Sequence, residues 1–544
     1  MPQPASRNPT FDRSRLVKRN RWRDVFDGTV PDGWEPTLSV SVVIAAYNSS
    51  TLPLTLASLA AQDYPSHLLE VIVVDDGSDP PVQLGAVVPE HVRLIRVPPE
   101  GGWGRSNAMA IGIGASTGDI IYWVDSDMVL FRDNVRQHAK WAHFIPEAAT
   151  IGHKGFVEAW TFSPEEVYEE VADGRIEHRY DPAALHEHWS LRVFRETDDL
   201  NDSDGRNYST HMGACATATR AVYDATNGQD TRLRLGEDTE IAYQLWQAGA
   251  VFIPVHEARS WHLGRATIQD HAASVARVNN VHFAERMPIP RYPRRSMNRI
   301  WEVPLVRAVV EVRPESATFA RQCVDRLLNQ TLPDIQVDLV GPWSMLDEGR
   351  RRVLADPLVE LRLVREWFRA DSRVRFREEA PDTVFPSPFR LDVPVTVGLS
   401  PDSLQRMYRH IDANRLGSVR YRVPGVGEGA ELVLWNNAAV SRARRYASDG
   451  YAFDQCLEDA WGTELAEADD ARLVDLRGTD LEAKVEAHDP RIDELAAKLV
   501  VQRDRARAAE ARLAGVEALL ERRQSRNLVS RAAEAIRRTL PSRR

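Results

Sequence analysis

Asp125-Ser126-Asp127 closes the apolar run Ile120-Ile121-Tyr122-Trp123-Val124. Two carboxylates one residue apart at a strand end share one face, and a turn lets them converge on one cation. Hard divalent ions such as Mg²⁺ and Mn²⁺ take ligands of this kind, usually a few carboxylates completed by substrate phosphates. A second acidic pair, Asp75-Asp76, follows Val71-Ile72-Val73-Val74, and a third, Glu237-Asp238, stands before Ile241. Ile241, Leu245 and Ala248 have helical spacing, so Glu237 and Asp238 fall at a helix N-terminus, where negative charge is favoured. A simple N-terminal capping role accounts for that pair equally well. Beyond Val251-Phe252-Ile253 comes Ser260-Trp261-His262-Leu263, whose histidine could ligate a metal or serve the packing alone.

The elements that would position these groups alternate. Leu38 to Ala46 reads as a buried strand, Leu52 to Gln62 as a helix stopped near Tyr64-Pro65, and Val71 to Val74 as a second strand. Val92 to Val97 is a third strand, Ser106 to Ala115 a helix, and Ile120 to Val124 the strand before the aspartates. This order predicts a parallel α/β sheet with helices on both faces. Tyr47-Asn48, Asp75-Asp76 and Asp125-Asp127 then all follow strand C-termini, where ligands bind in open α/β sheets. Gly112-Ile113-Gly114 invites a dinucleotide-binding reading, but it ends a helix instead of joining a first strand to its helix.

Bulk composition narrows the class. The chain has 544 residues, enough for several domains, with 43% hydrophobic and 27% charged residues. A formal net charge of −10 argues against a general nucleic-acid partner. Cys215, Cys323 and Cys456 lie far apart, which excludes a disulfide scaffold or a cysteine-rich zinc site and fits a reducing cytoplasm. No apolar run reaches the roughly 20 residues a membrane-spanning helix needs, and no signal peptide is evident.

In order and spacing, five segments resemble the family 2 inverting glycosyltransferases of GT-A fold. They are Val42-Val43-Ile44-Ala45-Ala46-Tyr47-Asn48, Val73-Val74-Asp75-Asp76-Gly77-Ser78, Gly104-Arg105-Ser106-Asn107, Asp125-Ser126-Asp127 and Gly236-Glu237-Asp238. The likeness covers about residues 38–270. Asn227 to His262 also looks like the segment shared with galactosyl- and N-acetylgalactosaminyl-transferases. The resemblance implies a nucleotide-diphosphate sugar donor, a UDP-sugar favoured, with Ala45, Ala46, Tyr47, Asp75, Asp76, Arg105 and Asp125 on its binding side. It implies a divalent metal, Mn²⁺ or Mg²⁺, held by Asp127, Asp125 and His262, with His256 a weaker rival. Asp238 matches the general base, with Glu237 the alternative, and Arg105 serves equally well as a structural salt bridge. The Gln-x-x-Arg-Trp element of processive polysaccharide synthases is missing. Two other readings stay open: a sugar-1-phosphate nucleotidyltransferase, and a non-catalytic sugar-nucleotide-binding or scaffold protein. The first lacks its Gly-rich basic loop after the first strand.

From about residue 303 the pattern begins again. Val309 to Pro314, a helix to Leu328 and Val337 to Val340 repeat strand, helix and strand, with Gly341-Pro342 in the place of Asp75-Asp76. No acidic pair follows Val395-Thr396-Val397, and Leu434 to Gly462 resembles Ala214 to Gly249 without a Glu-Asp pair. The expected organisation is therefore an N-terminal extension over 1–37, a catalytic GT-A domain over 38–290 and a degenerate GT-A-like domain over 303–480. The degenerate domain would serve acceptor binding or assembly. A heptad seam through Ile492, Leu499, Ala506, Leu513 and Leu520 predicts a coiled-coil helix over 484–523, most simply a homodimer. The basic amphipathic tail, 524–544, could meet an anionic membrane surface, which would suit a lipid-linked acceptor as well as a glycan. Together these place the chain in the cytoplasm, at most peripheral to the inner face of the membrane.

Overall fold

The computed structural model of the chain describes residues 13–478, apart from 159, 182–184, 186, 265–266, 292–293, 295–298, 424–430 and 449–450. The coiled coil and the basic tail expected after residue 483 lie outside the described residues. Among those described, no helix is long and apolar enough to cross a membrane.

Eight strands form the first sheet: β1 (Val40–Ala46), β2 (Leu69–Asp75), β3 (Val92–Arg96), β4 (Ile120–Asp125), β5 (Met128–Leu130), β6 (Ala148–Val157), β7 (Cys215–Thr219) and β8 (Val251–Leu263). They run in the order β3-β2-β1-β4-β7-β6-β8-β5. Strands β1 and β2 are buried almost throughout, as expected where helices cover both faces. The helix Leu52–Ala60 packs on one face, and Arg105–Gly114 on the other. A Cβ on Gly112 would come within 2.4 Å of Val43, so this glycine allows close helix–sheet contact and is no phosphate loop.

The sheet is mixed, not parallel throughout. β7 runs antiparallel to β4 and β6, and β5 antiparallel to β8. The reason is local. The chain re-enters the sheet at the C-terminal end of β4, where Cys215 lies opposite Val124, so β7 must run backwards. That return carries residues 211–214 to the strand ends where the aspartates stand.

Residues 306–475 form a second sheet of β9 (Val306–Glu311), β10 (Ile335–Val340), β11 (Val374–Arg377), β12 (Phe389–Pro394), β14 (Ser418–Arg422), β15 (Glu431–Asn436) and β16 (Thr463–Glu467). β13 (Val397–Leu399) pairs with β17 (Leu473–Asp475) beside it. The main order, β11-β10-β9-β12-β15-β14-β16, repeats the first seven positions of the first sheet; the eighth, β5, has no counterpart in it. In register, Val40 faces Leu69 and Ile120, as Val306 faces Ile335 and Phe389. Gly341-Pro342 therefore occupies the place of Asp75-Asp76. The strand before the missing acidic pair is Phe389–Pro394, so Val395-Thr396 is not part of it but fills the turn that holds Ser126-Asp127 in the first half.

The second sheet also lacks one layer. No helix stands between β11 and β12, where the first half has Arg105–Gly114. The face without that helix is accordingly polar: burial alternates along β12, and Arg377 covers the buried Asp338 at 2.8 Å. The other face joins the main core, which runs without interruption from Trp246 and Met287 to Leu305, Val337 and Leu391.

Residues 13–37 are irregular, as composition suggests, but they are built in and not a free extension. Val17, Trp22 and Phe26 are buried. Asn20 donates to the carbonyls of Leu200 (2.9 Å) and Phe252 (2.8 Å) and accepts from the Phe252 amide. In the second half, Arg19 donates its amide to the Ala460 carbonyl at 2.7 Å.

Candidate active site

The ends of β2, β1 and β4 lie side by side. Ala46 is opposite Asp75 and Ala45 opposite Asp125, so the expected donor-binding residues share one row. Asp75 is buried and accepts the Ser78 amide (2.8 Å) and the Val82 amide (3.2 Å). Burial opposes its charge, but hydrogen bonds from Ser78 and Val82 outweigh this and hold the carboxyl below its usual range. Asp75 thus shapes the loop. Asp76 accepts the Gly104 amide on Oδ2 at 2.8 Å, while its buried Oδ1 has no hydrogen-bond partner. Such an atom is costly unless a ligand donates to it. Ala46 gives its carbonyl to the Asp76 amide, and Ala45 contributes the floor beside it. Tyr47 is 53% exposed and meets the equally exposed Trp103 edge-on at 6.0 Å. Trp103, in a Gly-rich turn, carried no sequence signal of its own.

Arg105 ties the site together. Its Nε and Nη2 donate to Asp125 Oδ1 at 3.1 and 2.7 Å, Nη1 to Glu237 at 2.6 Å, and Nη2 to the Gly213 carbonyl at 2.7 Å. Burial works against the guanidinium charge, but Asp125 and Glu237 overcome it and keep the group firmly protonated. Gly213 is required here, because a Cβ would come within 2.7 Å of Arg105 Nη2.

Asp125, Asp127 and His262 each present a ligand atom, all within 4.8 Å of one another. β5 and β8 bring them together, since Met128 pairs directly with His262. His262 Nε2 is 3.7 Å from Asp127 Oδ1, too far for a hydrogen bond. Asp127 Oδ1 and His262 Nδ1 are both buried without hydrogen-bond partners. Burial and the neighbouring Asp125 push the Asp127 carboxyl up to about 7, and burial holds the His262 imidazole below its usual range. Two carboxylates and an imidazole, with Asp127 Oδ1 and His262 Nδ1 still unpartnered, fit a divalent cation. His256 is elsewhere, paired with Asp199 at 2.9 Å, and does not join the group.

Glu237 and Asp238 begin the helix Glu237–Gln247. Gly236 before them has φ +75°, and a Cβ there would come within 2.5 Å of Phe283, so both conformation and space demand glycine. The two acids part at this point. Glu237 is buried against Arg105, and burial raises its pKa. Asp238 is half-buried, its Oδ1 held by the Thr239 amide at 2.7 Å. Asp127, Asp238 and His262 line one cleft of about 1120 Å³, with Lys154, Trp189 and Tyr408.

Residues 41–212 match the model of Glycosyl transferase family 2, and this part of the chain is a family 2 glycosyltransferase domain of GT-A fold. Hyaluronan synthase of Pasteurella multocida is 24% identical over 56% of this chain and 33% of its own length. Chondroitin synthase of Escherichia coli is 24% identical over 62% of this chain and 50% of its own. An N-acetylglucosaminyltransferase of Mesorhizobium japonicum reaches 39% identity over 21% of this chain and 27% of its own. The chain thus spans half or less of the length of these three relatives. Among solved structures, residues 1–349 of S. aureus TarS align at TM-score 0.33 and 16% identity, covering 47% of this chain and 68% of that one. The mannosyltransferase PcManGT of Pyrobaculum calidifontis, in complex with GDP-Man and Mn²⁺, aligns at TM-score 0.30 and 18% identity, covering 51% and 70%.

Proposed function

We propose that the chain is a metal-dependent inverting glycosyltransferase that moves a sugar from a nucleoside-diphosphate sugar to an acceptor hydroxyl, in the synthesis of a polysaccharide or cell-surface glycan. The observation that carries this reading is the Asp125–Asp127–His262 group and the half-buried Asp238 on one cleft within the family 2 fold. Asp125, Asp127 and His262 would hold the metal; the imidazole in the set favours Mn²⁺ over Mg²⁺, which prefers oxygen alone. When bound, the metal supplies positive charge against the leaving diphosphate.

The remaining work falls to the chain's own groups. Arg105 fixes one oxygen of Asp125 and one of the buried Glu237, which sets both apart from the acceptor proton. Asp238 keeps one oxygen on the Thr239 amide and takes the hydroxyl proton on the other as the acceptor attacks the sugar carbon opposite the phosphate. Asp76 Oδ1 would accept an N–H from the donor base, and Tyr47 and Trp103 would flank that base. A uridine offers one such N–H, and UDP is the donor we favour; guanine offers the same chemistry. Hyaluronan- and chondroitin-synthase relatives suggest a hexosamine-containing glycan as acceptor. The reaction would take place in the cytoplasm, where nucleotide sugars are made. A hydrolysis and transfer screen of UDP- and GDP-sugars, with Mn²⁺, Mg²⁺ or a chelator, tests this reading. Turnover that survives the chelator removes the metal role, and no turnover with any donor removes the assignment.

A further inference from the structure

The cleft that holds Asp127 and Asp238 does not stop at the first half. Its far wall is Tyr408 and Asp412, from the helix Ser403–Asn414 of the second half. That helix buries Leu404, Met407 and Ile411 in the shared core. Residues 408 and 412, four apart, therefore share a helix face turned toward the cleft.

The direction of the cleft says what it receives. None of Ala45, Tyr47, Asp75 or Asp76 lines it, so it runs from the metal group away from the nucleoside row. Only the transferred sugar and the acceptor lie on that side. At about 1120 Å³ it exceeds the roughly 300–1,000 Å³ of a site for one small ligand. Its walls have the chemistry that recognises carbohydrate: aromatic surface together with fixed polar groups. Trp189, beside His188 on the side of the metal group, is 46% exposed. The Tyr408 ring is held edge-on by Phe389 at 5.7 Å. Asp412 lies 3.3 Å from Arg206, itself held by Asp204 at 2.7 Å, so this charge pair bridges the seam between the halves already oriented.

We infer that the second half, which has Pro394 and Thr396 where the first has Asp125 and Asp127, forms the acceptor site of the first. Tyr408 and Asp412 bind an oligosaccharide several units from its reacting end. This rests on the transfer reaction proposed above. The face explains why the fold of the second half persists without its acidic groups: its helix is still needed as a wall.

The test uses the full chain, with Tyr408→Leu and Asp412→Asn as variants. Neither residue touches the metal group or Asp238. Acceptor-independent donor hydrolysis is measured first, then transfer to disaccharides and octasaccharides of the hyaluronan, chondroitin and chitin series. The wild type should prefer an octasaccharide. Each variant should raise KM for it by about tenfold, the loss of one good contact, and leave donor hydrolysis and disaccharide KM unchanged. Asp412→Asn preserves size and keeps the test open if Tyr408→Leu unfolds. A wild type that is indifferent to acceptor length, or variants with unaltered octasaccharide KM, overturn the inference while leaving the transfer reaction standing. A wild type that turns over no donor overturns both.

Discussion

Asp238 and Glu237 are neighbours in sequence with opposite fates in the fold. The sequence offers both as the base. The choice depends on Arg105, which lies 132 residues away and takes Glu237 as its partner. Such a pairing is invisible to local pattern, as is the unpartnered Oδ1 of Asp76. The grouping of Asp125, Asp127 and His262 was legible because strand ends and residue types announce it. Trp103 was not, since a lone aromatic in a turn has no period. Asp238→Asn should lower turnover by about 10²–10⁴, the usual contribution of a general base, without loss of donor affinity by calorimetry. Glu237→Gln should instead weaken donor binding, because Arg105 loses a charge that helps hold it on Asp125. A Glu237→Gln enzyme with wild-type donor KM and abolished turnover would reverse the two roles.

The helix Glu237–Gln247 carries both acids, and its start is fixed by Gly236. Replacing Gly236 with Ala forces a side chain into φ +75° against Phe283 and should cost about 1–3 kcal/mol by denaturant titration, with loss of activity. One turn on, Glu240 is buried, and Gln244 donates to both of its carboxylate oxygens at 2.9 Å. Burial chiefly, and Asp230 next, push its carboxyl up to about 7, while Arg286 and Arg232 act against this. Its unfolded value is about 4.3, so the folded state holds the proton more tightly. Stability from this group is therefore complete below about pH 4, falls as pH rises, and is lost above the folded value of about 7. Glu240→Gln should be more stable than wild type at pH 8, on the order of 3 kcal/mol, and equal to it near pH 4. Equal stability of the two proteins at pH 8 would show that Glu240 ionises without penalty. The period of Ile241, Leu245 and Ala248 made this helix legible in the sequence. The backward run of β7 was not, because alternation marks a strand but not its direction.

At the scale of the molecule, the two halves share one core and one clasp. Arg442 is buried and donates to the carbonyls of Gly249 (2.8 Å) and Ala250 (2.7 Å), just past the end of the Glu237–Gln247 helix, and to Val17 and Arg19. Asn437 and Arg445 reach the carbonyls of Gln247 and Ala248. The second half thus holds the far end of the helix whose first turn carries Asp238. Arg442→Met should cost about 3 kcal/mol or more, since it leaves several buried carbonyls without donors. Calorimetry should find residues of both halves melting in one transition; two separate transitions would mean that the shared core does not couple them. The repetition of strand and helix from residue 303 was legible in spacing. The missing helix between β11 and β12 could be read only once registers were known. In the proposed reaction one metal group and one base, both in the first half, perform glycosyl transfer. Donor turnover by wild type, Asp127→Asn and Asp238→Asn, across a Mn²⁺ titration, tests this. The wild type should turn over a nucleotide sugar only with metal. Asp127→Asn should lose the metal response, and Asp238→Asn should keep metal-linked donor binding but not transfer. Full turnover by both folded variants would contradict it.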